Sequence, residues 1–182
     1  MRAFFSLLFI AAFRAVSSNY CVCTTVPCPV VGINKITMGD GNADMTYTYI
    51  QQGDYVVVSE AKGVLSKEST GKGSETTDCT RKYSRMLEDD GYSNCDAGHI
   101  LANHLGGYGN EPLNIFPQNH HINGGIFAQF EGKIYDCMQE ANKGNLSWIF
   151  TYNNMTSTQP ISVEYSASFD KGCSPLRELF DN

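Results

Sequence analysis

The stretch DAGHILANHLGGYG, residues 96–109, followed by EPLNIFPQNHHINGGIFAQFE, residues 111–131, places Asp96, His99, Asn114, Asn123 and Glu131 in one short span. An imidazole titrates near neutral pH, so His99 is able to take a proton from water. Asn123 stands where a helix is expected to begin, and its carbonyl oxygen suits a hard cation. Glu131 follows eight residues later, which on a regular helix is two turns plus roughly 80°. The two side chains therefore flank one site without strict alignment. A neutral oxygen, a carboxylate and an imidazole suit a magnesium ion that keeps most of its water and holds a phosphate. Taken singly, each residue has an ordinary use. His99 reads as a surface or hydrogen-bonded core histidine, Asn123 as a helix cap and Glu131 as a solvated helix residue. Gly106, Gly107 and Gly109 form a turn; no Gly-Lys-Ser/Thr follows, which excludes a nucleotide phosphate loop. His104, His120 and His121 have no evident partner and read as surface residues.

Working outward, Ile126, Phe127, Phe130, Ile134 and Met138 recur at helical spacing and predict a buried stripe on a helix starting near Asn123. Gln129, Lys133 and Gln139 face elsewhere, and Lys143-Gly144 is the expected stop. Residues 45–50 and 55–59, rich in Tyr, Thr and Val, predict two strands joined by Gln-Gln-Gly-Asp. Residues 148–152 and 161–168 predict two more. The polar run SKESTGKGSETTDCT, residues 66–80, reads as an exposed loop, and residues 89–111 as strand and loop pieces. Residues 19–35 read as a strapped segment rich in cysteine and proline. The pattern is α+β, with a central antiparallel sheet and one main helix in a single domain over residues 19–182.

The chain has 182 residues, 42% hydrophobic and 12% aromatic, which excludes a disordered protein. Residues 1–18 pair Arg2 with a short apolar run ending in small residues, the pattern of a secretory signal peptide. Cleavage there removes two arginines and leaves 11 basic against 19 acidic residues, a net charge of −8. A broadly basic nucleic-acid-coating surface is thus excluded. A local patch remains around Arg81, Lys82 and Arg85, beside Lys67 and Lys72. Seven cysteines in a secreted, extracellular chain imply disulfides. The count is odd, so one thiol is free or bonded between chains, and a disulfide-linked dimer is an expectation. The sequons Asn145-Leu146-Ser147 and Asn154-Met155-Thr156 fit a glycoprotein. Beyond the signal peptide no stretch reaches membrane-spanning length.

The order Asp-x-Gly-His, Leu-Gly-Gly, Asn-Ile-x-Pro-Gln and Ile-Asn-x-Gly, with a glutamate eight residues past the asparagine, resembles the DNA/RNA non-specific endonuclease family. The resemblance covers mainly residues 95–136, about a quarter of the chain. It implies a ββα-metal nuclease fold with the main helix catalytic, DNA and RNA as substrates, and magnesium, or alternatively manganese, as cofactor. By position His99 matches the general base, Asn123 the metal-binding asparagine, and Glu131 the acid that supports the metal. Asn114 matches an asparagine near the active centre, and Asp96 opens the motif and orients the site. Many members carry arginine where this chain has Ala97; Arg81, Lys82, Arg85 and Lys133 are the candidate replacements. Two functions stay open: a secreted metal-dependent endonuclease, and a catalytically silent relative that binds nucleic acid or protein.

Overall fold

The computed structural model describes residues 28–87 and 95–182. The expected signal peptide and residues 19–27 of the strapped segment lie outside them. The strands are β1 (Gly32–Met38), β2 (Ala43–Gln52), β3 (Tyr55–Ser66), β4 (Cys95–His99), β5 (Ile115–Asn119), β6 (Lys143–Thr151), β7 (Ser162–Phe169) and β8 (Leu176–Asp181). Six of them make one sheet in the order β1-β2-β3-β6-β7-β8, with every neighbouring pair antiparallel. Strands β4 and β5 form a separate antiparallel ribbon. The helices are α1 (Asp78–Leu87), the single turn α2 (His120–Ile122) and α3 (Ala128–Glu140). Ribbon and α3 together give the ββα arrangement.

Alternation along the strands buries one sheet face. Met45, Tyr47 and Tyr49 of β2, Leu146, Trp148 and Phe150 of β6, and Val163, Tyr165 and Ala167 of β7 point inward. Helix α3 covers this face with Phe130, Ile134 and Met138. Aromatic edges and faces interlock there: the Trp148 and Tyr165 rings lie 4.5 Å apart and Phe127 and Phe180 4.8 Å. A disulfide between Cys137 and Cys173 ties α3 to the segment before β8, and Cys28 and Cys79 each take part in a further disulfide.

Several expectations need correcting. Residues 32–35, read as the end of the strapped segment, open the edge strand β1, whose side chains alternate between half-buried and exposed up to the buried Met38. Residues 78–80 of the expected loop open α1. That helix buries Thr80, Tyr83, Ser84 and Leu87, a face so polar that an apolar period does not reveal it. Thr77 caps it: Thr77 Oγ1 accepts from the Thr80 N–H at 3.3 Å, and Thr80 Oγ1 accepts from the Thr77 N–H at 3.0 Å. Strand β8 also escaped the sequence reading. Helix α3 ends at Glu140, and Lys143 and Gly144 already belong to β6. Ile126 is 52% exposed, off the predicted stripe. The helix axis breaks at Gly125, whose φ of −109° and ψ of −113° are not helical, and a wide turn over Asn123–Phe127 shifts the phase.

The ribbon is held to the sheet through Asn114, which is fully buried. Its Oδ1 accepts from the Tyr47 hydroxyl at 2.9 Å and from the Leu101 N–H at 2.8 Å. Its Nδ2 donates to the Leu101 carbonyl at 2.9 Å. Replacing Asn114 by alanine strands three buried polar groups. At roughly 1–3 kcal/mol for each, Asn114→Ala should destabilise the chain by about 3 kcal/mol or more, read from urea unfolding. A loss below about 1 kcal/mol would contradict this role.

Candidate active site

His99 ends β4 and is half-buried. Its Nε2 lies 3.0 Å from the Ser74 carbonyl oxygen, which also accepts from the Gly109 N–H at 3.0 Å. A carbonyl only accepts, so Nε2 carries the proton and the Nδ1 lone pair is left for chemistry. Burial holds the imidazole below its ordinary pKa of 6.5, against the opposing pull of the Ser74 bond and the Glu75 charge. The ring is therefore a neutral base at neutral pH.

The close approach of residues 73–75 to residues 101–109 makes that bond. Ser74 pairs as an isolated parallel bridge with Tyr108, and its N–H donates to the Gly107 carbonyl at 3.0 Å. A Cβ on Gly107 would stand 1.7 Å from the Leu101 carbonyl oxygen, and one on Gly73 2.1 Å from that of Asn103. Only glycine fits either place. The Leu-Gly-Gly segment is thus a packing device as well as a turn.

Asn123 lies in the wide turn that follows α2. Its Nδ2 donates to Asp96 Oδ2 at 2.9 Å, which directs its carbonyl oxygen away from Asp96. Asp96 also takes His120 Nδ1, at 2.9 and 3.1 Å to its two oxygens. Asp96 therefore orients the Asn123 side chain. His120, read from sequence as a surface residue without a partner, has this carboxylate as its partner.

Glu131 is not a solvated helix residue. It is 9% exposed on the first turn of α3, and no described residue hydrogen-bonds its carboxylate. Burial alone pushes its pKa up to about 8. Its charge reaches Tyr165 in the aromatic core.

Two adjoining recesses, of about 180 and 230 Å³, share Glu75, His99 and Asn123. The first adds Ala102, Asn103, His104, Ala128 and Glu131; the second adds Thr76, Arg81, Asp96 and Ala97. His99, Asn123, Glu131 and Asp96 thus come to one cleft, and Asn114 does not line it. Of the four candidate cations only Arg81 lines it. Glu75 and Ser74 come from the run read as an exposed loop, so no periodicity announced them; Glu75 also holds Asn103, whose Nδ2 donates to it at 2.5 Å. His104 packs edge-on to Tyr135, and its buried Nε2 has no partner among the described residues. A larger hollow of about 600 Å³ lies on the outer sheet face, lined by residues such as Thr46, Lys62, Ser147 and Arg177, and contains none of these groups.

The donor set fits a divalent cation. Three carboxylates, those of Glu75, Asp96 and Glu131, face one cleft that has a single lining cation, and one of them is buried without a hydrogen bond. Among the described residues no three His, Cys, Asp or Glu side chains are grouped as a metal cage. An ion held here would keep most of its water, the habit of magnesium.

The model of the DNA/RNA non-specific endonuclease family matches residues 37–166. The chain belongs to that family. It is 34% identical over 125 residues, 69% of its length, to the probable deoxyribonuclease RhsA of Dickeya dadantii (strain 3937), but spans only 8% of that protein. The fold is similar to that of NucA from Streptococcus agalactiae, at TM-scores of 0.57 for the structure without metal and 0.56 for the structure with a magnesium ion bound. Both comparisons stand at 15% identity, covering 86% and 87% of this chain and 83% and 85% of the other.

The buried acid has a measurable consequence. Its folded pKa of about 8 exceeds the ordinary 4.5, so between these values the folded family member holds a proton that the unfolded chain has released. Metal-free stability must then fall as pH rises through that window, by on the order of a few kcal/mol. Glu131→Gln carries no such proton and should flatten the fall. Urea unfolding at pH 5 and pH 8.5 in EDTA tests this; the same pH slope in both proteins would refute the assignment.

Proposed function

We propose that this chain is a secreted, magnesium-dependent endonuclease that hydrolyses phosphodiester bonds in DNA and RNA. The observation that carries the reading is the contact of His99 Nε2 with the Ser74 carbonyl, which leaves Nδ1 free in a cleft shared with Asn123 and Glu131. Family membership and the likeness to a part of the probable deoxyribonuclease RhsA support it.

Asn123 Oδ1 would hold the cation, with Glu131 supporting it. Once bound, a magnesium ion supplies Lewis-acid polarisation of the phosphate and neutralises charge at the leaving oxygen. His99 Nδ1 takes a proton from a water molecule as that water's oxygen forms a bond to phosphorus. The bond from phosphorus to the 3′ oxygen breaks, leaving a 5′-phosphate and, after protonation from solvent, a 3′-hydroxyl. Asp96 keeps the Asn123 amide turned the right way throughout. Asn114 acts at one remove, by fixing the loop of residues 101–108. Manganese fits the same oxygen donors and should substitute.

Plasmid DNA and RNA should both be cut by the purified, oxidised chain with magnesium, and neither with EDTA. His99→Ala should lower the rate by roughly 100- to 10,000-fold. Retained cleavage by that variant would sink the base assignment; no cleavage by the folded parent under any metal would favour the silent binding module. In the pH profile of kcat/KM, the acid limb should reflect loss of the neutral imidazole and lie below 6.5, because burial lowers the His99 pKa. A limb well above 6.5 would exclude His99 as its source.

A further inference from the structure

The geometry points to Arg81 as the side chain that grips the scissile phosphate. It is the single cation that lines the cleft among the described residues, sharing a recess with Asp96, Ala97, His99 and Asn123. Lys82 and Arg85 lie on the same helix and Lys133 on α3, and none of them lines either recess.

Two features of the fold put it there. Ala97 is half-buried against the small cluster of Val57, Tyr83, Leu87 and Ile115, where Tyr83 and Leu87 come from α1. A methyl group at that place lets α1 sit down on β4, a contact reinforced by Ser84 Oγ donating to the Asp96 carbonyl at 3.2 Å. Arg81, two residues before Tyr83, then stands at the rim of the cleft. Its guanidinium is anchored on one side: Nη1 donates to the Thr76 carbonyl at 2.8 Å and to Thr76 Oγ1 at 3.1 Å, and Nη2 donates to Asp78 Oδ1 at 2.6 Å. Those bonds leave Nε–H and one hydrogen of Nη2 without a partner among the described residues. Two of the five N–H groups of the guanidinium are thus left to donate to phosphate oxygens.

The ion pair with Asp78 does not cancel this role. Asp78 is 88% exposed and Arg81 43%, so water screens the pair strongly. Asp78 and Thr76 hold the fork in a set orientation, and its charge offsets the carboxylates of Glu75 and Asp96 as a phosphate enters.

The contact rests on the nuclease reading, so its test has an arm that does not need turnover. In a His99→Ala background, binding of a labelled oligonucleotide is measured by fluorescence anisotropy between 50 and 200 mM salt, with and without Arg81→Ala, Arg81→Lys or Lys82→Ala. Arg81→Ala should weaken binding roughly tenfold or more and reduce the slope of log K against log salt by about 0.7–0.9, the share of one phosphate contact. Arg81→Lys should keep the slope and lose part of the affinity, and Lys82→Ala should stay within about twofold. With His99 intact, Arg81→Ala should lower kcat by roughly 100-fold. Thermal unfolding by circular dichroism checks that each variant folds. Absent binding, or an unchanged salt slope in Arg81→Ala, overturns the contact even where turnover falls, because a structural defect lowers kcat without removing a phosphate contact. If the parent cuts nothing, the nuclease reading fails, and the binding arm still decides Arg81.

Discussion

The Ser74 carbonyl oxygen accepts from the Gly109 N–H and from His99 Nε2, both at 3.0 Å. The base chemistry of His99 depends on this pair of bonds. The first fixes the direction of the carbonyl, and the second fixes which imidazole nitrogen is free. Neither forms unless the backbone of residues 73–75 lies directly against residues 101–109, and that requires glycine at 73 and 107. The constraint is steric before it is electrostatic. A side chain at either position would push the loop away, and the imidazole would lose the partner that sets its tautomer.

The charge balance of the cleft follows from which elements meet there. Glu75 arrives on a loop, Asp96 on β4 and Glu131 on α3, against a neutral imidazole and one guanidinium. Left alone, such a site repels a phosphate. It also keeps a proton on Glu131, since an isolated buried carboxylate is costly. A dication removes both difficulties, and it needs few protein ligands because its water remains. The helix therefore carries, beside Phe130 and near Tyr165, an acid that weakens the metal-free fold. Such a residue makes sense where a site is built for a charge that arrives later.

What the sequence discloses follows from how far each signal reaches. Strands β2, β3, β6 and β7 alternate or run rich in β-formers, and α3 repeats Phe130, Ile134 and Met138, so local pattern sufficed. Strand β1 has too little burial and β8 too many charges to stand out. Helix α1 hides because Thr80 and Ser84 bury hydroxyls that bond to backbone carbonyls in place of apolar groups. The family motifs make Asp96, His99, Asn123 and Glu131 legible, and the structure brings them to one cleft. Ser74, Glu75 and His120 carry no local signature, and only the fold relates them to His99 or Asp96; Arg81 stands out in the sequence only as one of several basic residues, and its place at the cleft separates it from the others. The phase error at Ile126 has a similar origin, since the wide turn at Asn123–Phe127 interrupts a periodicity that sequence spacing assumes continuous.

Asn114 shows why residue identity and residue role separate. Its place in the motif matches an asparagine near the active centre, and all its side-chain polar atoms are spent on Tyr47, Leu101 and the Tyr108 carbonyl. Tyr47 belongs to the second strand of the large sheet, and Leu101 begins the loop that returns to Gly107. One buried amide thus couples the rigid sheet to the backbone that receives Ser74. The chain of dependence runs from Tyr47 through Asn114 to that loop, then to the Ser74 carbonyl and His99. A side chain that lines neither recess thus sets the position of the imidazole that lines both.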